Sequence, residues 1–126
     1  MRVLVTRPEA DAAPLIAALE ERGHETLLQP LLSIEPADPP PVLDLSGVQA
    51  LLFTSANGVR ALARLTEARE IPVFAVGDAS AAEARKAGFT SVRSASGAVE
   101  DLAALVIESL KPGDGRLLHG LSLIHI

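Results

Sequence analysis

The chain has 126 residues, 48% of them hydrophobic, with a formal net charge of −5, three phenylalanines and no tryptophan, tyrosine or cysteine. Without cysteine there is neither a disulfide framework nor a thiolate metal site. The acidic balance, the lack of any basic run and the absence of Tyr and Trp speak against nucleic acid or an anionic membrane as a partner.

The N-terminus, "MRVLVTRPEA", runs straight into a strand-like segment without a signal-peptide pattern, and no apolar stretch reaches the ~18 residues of a membrane span. A cytoplasmic protein is the expectation. "VLVT" (Val3–Thr6) is short, β-branched and continuously apolar, which predicts a buried strand. "RPEAD" is a turn. From Ala12 to Arg22 the residues Ala12, Leu15, Ile16 and Leu19 fall at helical spacing. Asp11 is the expected cap, Pro14 falls in the expected first turn, and Gly23 stands at the C′ position. "ETLLQPLLSIE" (Glu25–Glu35) is extended, and Pro30 marks it as an edge or a bend.

"PADPPP" (Pro36–Pro41) holds four prolines in six residues and reads as an extended linker. After it the pattern restarts. "ALLFTS" is a strand and Ala56–Leu65 a helix. "PVFAVG" is a strand, and "SAAEARKAG" a helix with a capping box from Ser80 to Glu83 and a stop at Gly88. "TSVRS" is a weak strand. "AVEDLAALVIESL" is an amphipathic helix with Val99, Leu102, Leu105, Val106 and Leu110 on one side. "PGDG" is a turn and "RLLHG" opens another strand. Strands alternating with helices predict α/β structure with parallel βα units and right-handed crossovers.

The expected organisation is a strand–helix–strand over residues 1–35, the linker over 36–41 and a second α/β domain over 42–120. Two strands and one helix are too little for a stable domain, so the first segment is expected to be part of a discontinuous domain, incomplete here. "LSLIHI" (Leu121–Ile126) carries no turn, cap or helical signal and is expected to be a non-native tail.

Each predicted strand runs into a polar turn and then a helix: "TRPEAD", "TSANGV", "VGDASAA" and "SASGAV". A helix N-terminus exposes unpaired N–H groups and the positive end of its dipole. Parallel strands gather such ends on one edge, where anions can be held. Glycines at 58, 77 and 97 would let a ligand approach the backbone. Ser, Asp and Asn at these positions are equally ordinary helix caps. Arg7 in the first corner is either a surface ion-pairing residue or a carboxylate clamp. Arg60 and the Arg64–Glu70 charges read as solvated, and His24 as a surface residue. His24, His119 and His125 do not form a ligand cluster, so no metal is expected. The glycine fingerprints of dinucleotide and P-loop sites are missing, which lowers the standing of a flavodoxin-like or phosphate-binding domain.

Taken in order, "VLVTRP", "LLQPLLSIEP", "LLFTSANGV", "VFAVGDASA" and "SASGAVEDLAALV" resemble the uroporphyrinogen-III synthase family over about Met1–Gly120. The resemblance implies two α/β domains joined by a two-strand linker, with the site in the cleft between them, in proteins considerably longer than this one. It implies cyclisation of the linear tetrapyrrole hydroxymethylbilane to uroporphyrinogen III, with inversion of ring D through an azafulvene and a spiro intermediate, in haem biosynthesis. No cofactor is implied, and the partner is a small carboxylate-rich substrate bound by a monomer. The substrate-binding residues carried over are Arg7, Thr54, Ser55, Asn57, Gly58, Gly77, Ser80, Ala81, Ser96 and Gly97; Ser80 stands where relatives carry a hydroxyl near the substrate. No catalytic acid is assigned. The family's implicated tyrosine has no counterpart in a chain without tyrosine, so little activity is expected of these residues alone. The alternative is a non-catalytic ligand-binding or regulatory module of the same fold.

Overall fold

The computed structural model describes residues 1–36, 38, 40 and 42–120. The chain is α/β and divides into two compact units, Met1–Pro36 and residues 37–126. The expectation for Leu121–Ile126 lies outside the described residues.

In the first unit β1 (Arg2–Val5) pairs in parallel with β2 (Glu25–Leu28), and α1 (Glu9–Glu21) connects them. The register sets Leu4 beside Leu27 and Val5 beside Leu28. Side chains alternate along a strand. Val5, with Ala12 of α1, is buried, while Leu4 and Leu27 are exposed. β2 ends at Leu28, and the chain stays bonded to the end of β1 and the residue after it on either side of Pro30, through Gln29 N–H to Val5 O at 2.9 Å and Leu31 N–H to Thr6 O at 3.2 Å.

The helix differs from expectation at its start. It begins at Glu9 after Pro8, so Asp11 lies inside the first turn rather than at the cap, and Pro14 sits one turn deeper than predicted. Proline fixes a helix-compatible φ, and its cost is the bond it cannot donate back to Ala10. The end is as predicted. Gly23 adopts φ 83°, its N–H reaches Glu20 O at 3.0 Å, and the His24 N–H reaches Leu19 O at 3.1 Å. This pair of reversed bonds is a Schellman motif, and its left-handed C′ residue favours glycine. His24, expected at the surface, is instead half-buried, with Nδ1 buried and without a hydrogen-bond partner.

The second unit is a four-stranded parallel sheet in the order β5 (Val92–Ser94), β4 (Val73–Ala75), β3 (Val48–Phe53), β6 (Arg116–Gly120). Helices α2 (Ala56–Leu65), α3 (Asp78–Lys86) and α4 (Val99–Ser109) follow β3, β4 and β5, and a 3-10 turn (Pro112–Asp114) leads into β6. Leu51, Phe53 and Val73 pack with Val59 and Leu62 of α2 and with Ala84 and Phe89 on one face. Ala50 and Phe74 pack with Leu102 of α4, flanked by Leu105, Val106 and Leu110, on the other. Both faces of the sheet are therefore covered, as a parallel sheet requires. Val99, expected on the buried side of α4, is exposed; it is the first helical residue and lies beyond the edge of the apolar cluster.

Two local features tie the helices together. α3 ends, like α1, in a Schellman motif: Gly88 has φ 104°, its N–H bonds Arg85 O at 3.0 Å, and the Phe89 N–H bonds Ala84 O at 3.1 Å. Arg69, expected to be solvated, is an internal clamp. Its guanidinium donates to the carbonyls of Ala63, Thr66, Ala68 and Ala87 at 2.7–3.1 Å and lies 5.0 Å from the centre of the Phe89 ring. It thereby satisfies carbonyls at the ends of α2 and α3 that have no helical partner.

Candidate functional site

The strand order fixes where a ligand would meet the second unit. The chain steps outward from β3 to β4 to β5, then crosses back to add β6 on the other side of β3. The winding direction thus reverses between β3 and β6. In open α/β sheets, the crevice outside the carboxyl ends of the strands at such a switch point is the ligand position. Thr54–Gly58 follow β3, and His119 and Gly120 end β6.

Ser55 is the N-cap of α2, with extended backbone, and its Oγ accepts from the Gly58 N–H at 3.1 Å. Thr54 Oγ1 lies 3.2 Å from His119 Nε2. Asn57 Oδ1 accepts from Arg60 Nη2, and Arg60 also pairs with Glu83 of α3 at 3.4 Å, both side chains being largely buried. Arg60 therefore braces α2 against α3 and is not the solvated charge expected. Gly58 is buried, and a Cβ placed on it would stand 2.5 Å from the Gly120 carbonyl oxygen. Its lack of a side chain is what lets the first turn of α2 approach the end of β6.

The α3 corner is built differently. The helix starts at Asp78 with Gly77 as cap, two residues before the expected start, so Ser80 is no cap. Ser80 is 5% exposed and Ala81 fully buried, and the Ala81 N–H is spent on Gly77 O at 3.1 Å. The carboxylate of Asp78 occupies the corner itself. Its Oδ1 accepts from Ser94 Oγ at 2.7 Å and from Ser96 Oγ at 2.9 Å. Those two hydroxyls, with a smaller contribution from the Arg85 charge, hold the Asp78 pKa below the ordinary aspartate value. Ser96 adopts φ 51°. At α4, Asp101 Oδ2 accepts from the Ala98 N–H at 2.7 Å, and its side chain fills the space beside Gly97.

The corners thus fall into two kinds. The first turns of α1, α3 and α4 carry acidic side chains of their own, namely Glu9 and Asp11, Asp78, and Glu100 and Asp101. The first turn of α2 carries none. Arg7 lies in the first unit between β1 and α1, exposed, with no ion pair among the described residues. No group of three or more histidine or acidic side chains suited to a metal occurs among the described residues. None of the described helices is long and apolar enough to cross a membrane.

Residues 13–123 match the family described as uroporphyrinogen-III synthase HemD. The chain belongs to the uroporphyrinogen-III synthase family. It is similar to a uroporphyrinogen-III synthase of Chlorobaculum parvum (strain DSM 263 / NCIMB 8327), with 41% identity over 58 residues. That stretch is 46% of this chain and 24% of the relative. Of the contacts around the switch point, sequence patterning missed His119, because nothing short of the strand order shows that β6 lies beside β3. It missed the role of Asp78 for a similar reason, since its partners Ser94 and Ser96 belong to the next corner along the chain.

Proposed function

We propose that the chain carries substrate-binding corners of an enzyme that converts hydroxymethylbilane to uroporphyrinogen III. The observation that supports this reading is the family match over residues 13–123, in a chain whose α2 corner at the switch point has no carboxylate of its own. Loss of the terminal hydroxyl of the substrate gives an electrophilic azafulvene. Attack at the substituted carbon of ring D gives a spiro intermediate, which reopens and recloses with that ring inverted. Unassisted ring closure gives the non-inverted isomer, so the protein's task is to hold one folded conformation of the chain and to stabilise the developing charge.

The net charge of −5 repels a carboxylate-rich substrate in bulk, so its carboxylates must be met locally. The α2 corner offers backbone N–H groups, the positive end of the helix dipole, and the side chains of Thr54, Ser55 and Asn57. Gly58 lets that corner form, and Gly77, Ser96 and Gly97 supply the neighbouring ones. Ser80 and Ala81, buried in the first turn of α3, support that corner from beneath without reaching the substrate, and Arg7 is a carboxylate clamp of the first unit. The reaction proceeds in the cytoplasm, with a monomeric protein and no cofactor.

The test is isomer analysis. Hydroxymethylbilane generated in place is supplied to this chain alone and to a longer protein in which it is joined to the C-terminal part of a longer family member, and the oxidised products are separated by chromatography. Type III product from the longer protein is the expected result, with little from this chain. Type I product alone from both would overturn the reading.

A further inference from the structure

At the switch point one side chain on β6 is so placed as to complete the α2 corner. His119 is exposed, on a strand whose register sets it beside Leu52 and Gly120 beside Phe53. Its ring is tied through Nε2 to Thr54 Oγ1 at 3.2 Å. Thr54 lies between β3 and the cap of α2, and β6 is locked to α2 by the close approach of Gly58 to Gly120. With Nε2 engaged by the hydroxyl, Nδ1 is the remaining polar atom of the ring.

The surroundings decide what that atom would meet. Of the elements packed on β6, β3 carries no ionisable side chain, and α2 carries Arg60 and Arg64 but no acid. Arg60 is paired with Glu83. The arginine of β6, Arg116, pairs with Asp44 at 3.9 Å and donates to backbone carbonyls of Asp44 and Ser46. Among the described residues, neither β3 nor α2 offers the imidazole a carboxylate. At the neighbouring α3 corner, by contrast, the hydroxyls of Ser94 and Ser96 are already taken by Asp78.

We infer that the Thr54–His119 pair is a ligand contact, in which the imidazole donates from Nδ1 to a carboxylate of a tetrapyrrole bound at the α2 corner. The inference rests on the proposed function for the identity of the ligand, though not for the chemistry of the contact. Thr54 is then a positioning residue: it holds the ring and selects which nitrogen is presented.

The test uses the full chain and follows the imidazole C2–H resonances by NMR, the His119 signal being assigned by its loss in His119→Ala. Uroporphyrin III, an air-stable carboxylate-rich tetrapyrrole, is titrated in one arm and succinate in the other. The expected result is a saturable shift of the His119 signal with uroporphyrin and no movement of the His24 signal. His119→Ala should weaken binding about tenfold, the loss of one charge-assisted hydrogen bond, and His119→Arg should restore much of it. Thr54→Val should weaken binding less and broaden the His119 signal, which a purely structural role of Thr54 would not do. If uroporphyrin binds while His119 stays still and His119→Ala binds as tightly as the parent, the inference is overturned and the proposed function is untouched. If succinate moves His119 saturably and uroporphyrin binds no more tightly than succinate, the contact stands and the tetrapyrrole reading fails. If neither ligand moves His119, the inference is overturned.

Discussion

The Met1–Pro36 unit and the rest of the chain are assembled from the same local parts, yet they bury very different amounts of apolar surface. Each has parallel strands joined by a helix that closes with a glycine at C′, and α1 and α3 end in the same pair of reversed hydrogen bonds. In the first unit that grammar yields two strands with one face under α1, and Val5 and Ala12 are its buried hydrophobic residues, while Leu4, Leu27, Leu31 and Leu32 stay exposed. In the second, four strands are covered on both faces and the core includes Leu51, Phe53, Val59 and Val73. Local signals decide where helices and strands begin and end. Burial depends on how many strands share a sheet and whether both faces have a partner.

The largest expected effect tests that contrast directly. Leu51→Ala removes a fully buried side chain and should cost about 2–5 kcal/mol of stability. Leu4→Ala removes one that is 58% exposed and should cost about 0.5 kcal/mol or less. Urea unfolding followed by circular dichroism measures both, and equal losses would break the comparison.

Arg69→Ala comes next. It strips the guanidinium from four carbonyls and should cost about 2–3 kcal/mol in the same measurement, a range typical of hydrogen bonds to a charged donor. Arg69→Lys should recover only part of that, because an ammonium lacks the planar fork. A lysine variant as stable as the parent would remove the clamp from the account of the second unit.

Gly58→Ala should cost about 1–3 kcal/mol, since the new methyl meets backbone rather than a movable side chain. It sharpens the comparison because α1 of the first unit contains no glycine at which to make such an approach. In the folded variant, the His119 C2–H resonance should move as α2 and β6 separate, and an unshifted resonance with full stability would refute the close approach.

The smallest effect concerns acid. The folded-state pKa of Asp78 is lowered, so the group contributes stability that is fully present above the unfolded aspartate pKa, about 3.9. That contribution is lost as pH falls through the lower folded value. Asp78→Asn should therefore be slightly less stable than the parent at neutral pH, and the two should converge in strong acid. Ser94→Ala with Ser96→Ala should bring the carboxylate titration, read by carbon NMR, back toward the ordinary value. A parent and Asp78→Asn pair that diverge only in acid would reverse the sign of this argument.

Much of the architecture was legible in the sequence because its signals are local. "LLFTSANGV" encodes a strand, a Ser55 cap and a helix whose limits, Ala56 and Leu65, match the structure. Gly23 and Gly88 marked two helix ends. The misreadings arose where a distant or unpatterned contact won. The α3 start moved from Ser80 to Asp78 because Gly77 is the cap, Glu83 is drawn to Arg60, and Asp78 is held by hydroxyls of the next corner. Arg69 looked like one more solvated charge, and only the folded chain shows four carbonyls converging on it. The polar corners were visible as motifs. That "TSANGV" holds no carboxylate is equally local, whereas the arrival of His119 beside it depends on the strand order and could be read only from the fold.

The position of β6 also has a consequence in time. β3, β4 and β5 are contiguous with their helices and can pair as the chain lengthens, whereas the strand that closes the other side of β3 is the last described element to be made. Until residue 120 has emerged from the ribosome, β3 has an open edge, and the Thr54–His119 contact and the meeting of Gly58 with Gly120 do not exist. The proposed ligand corner is thus complete only once β6 has joined the sheet, and the nascent chain must protect the open edge of β3 until then.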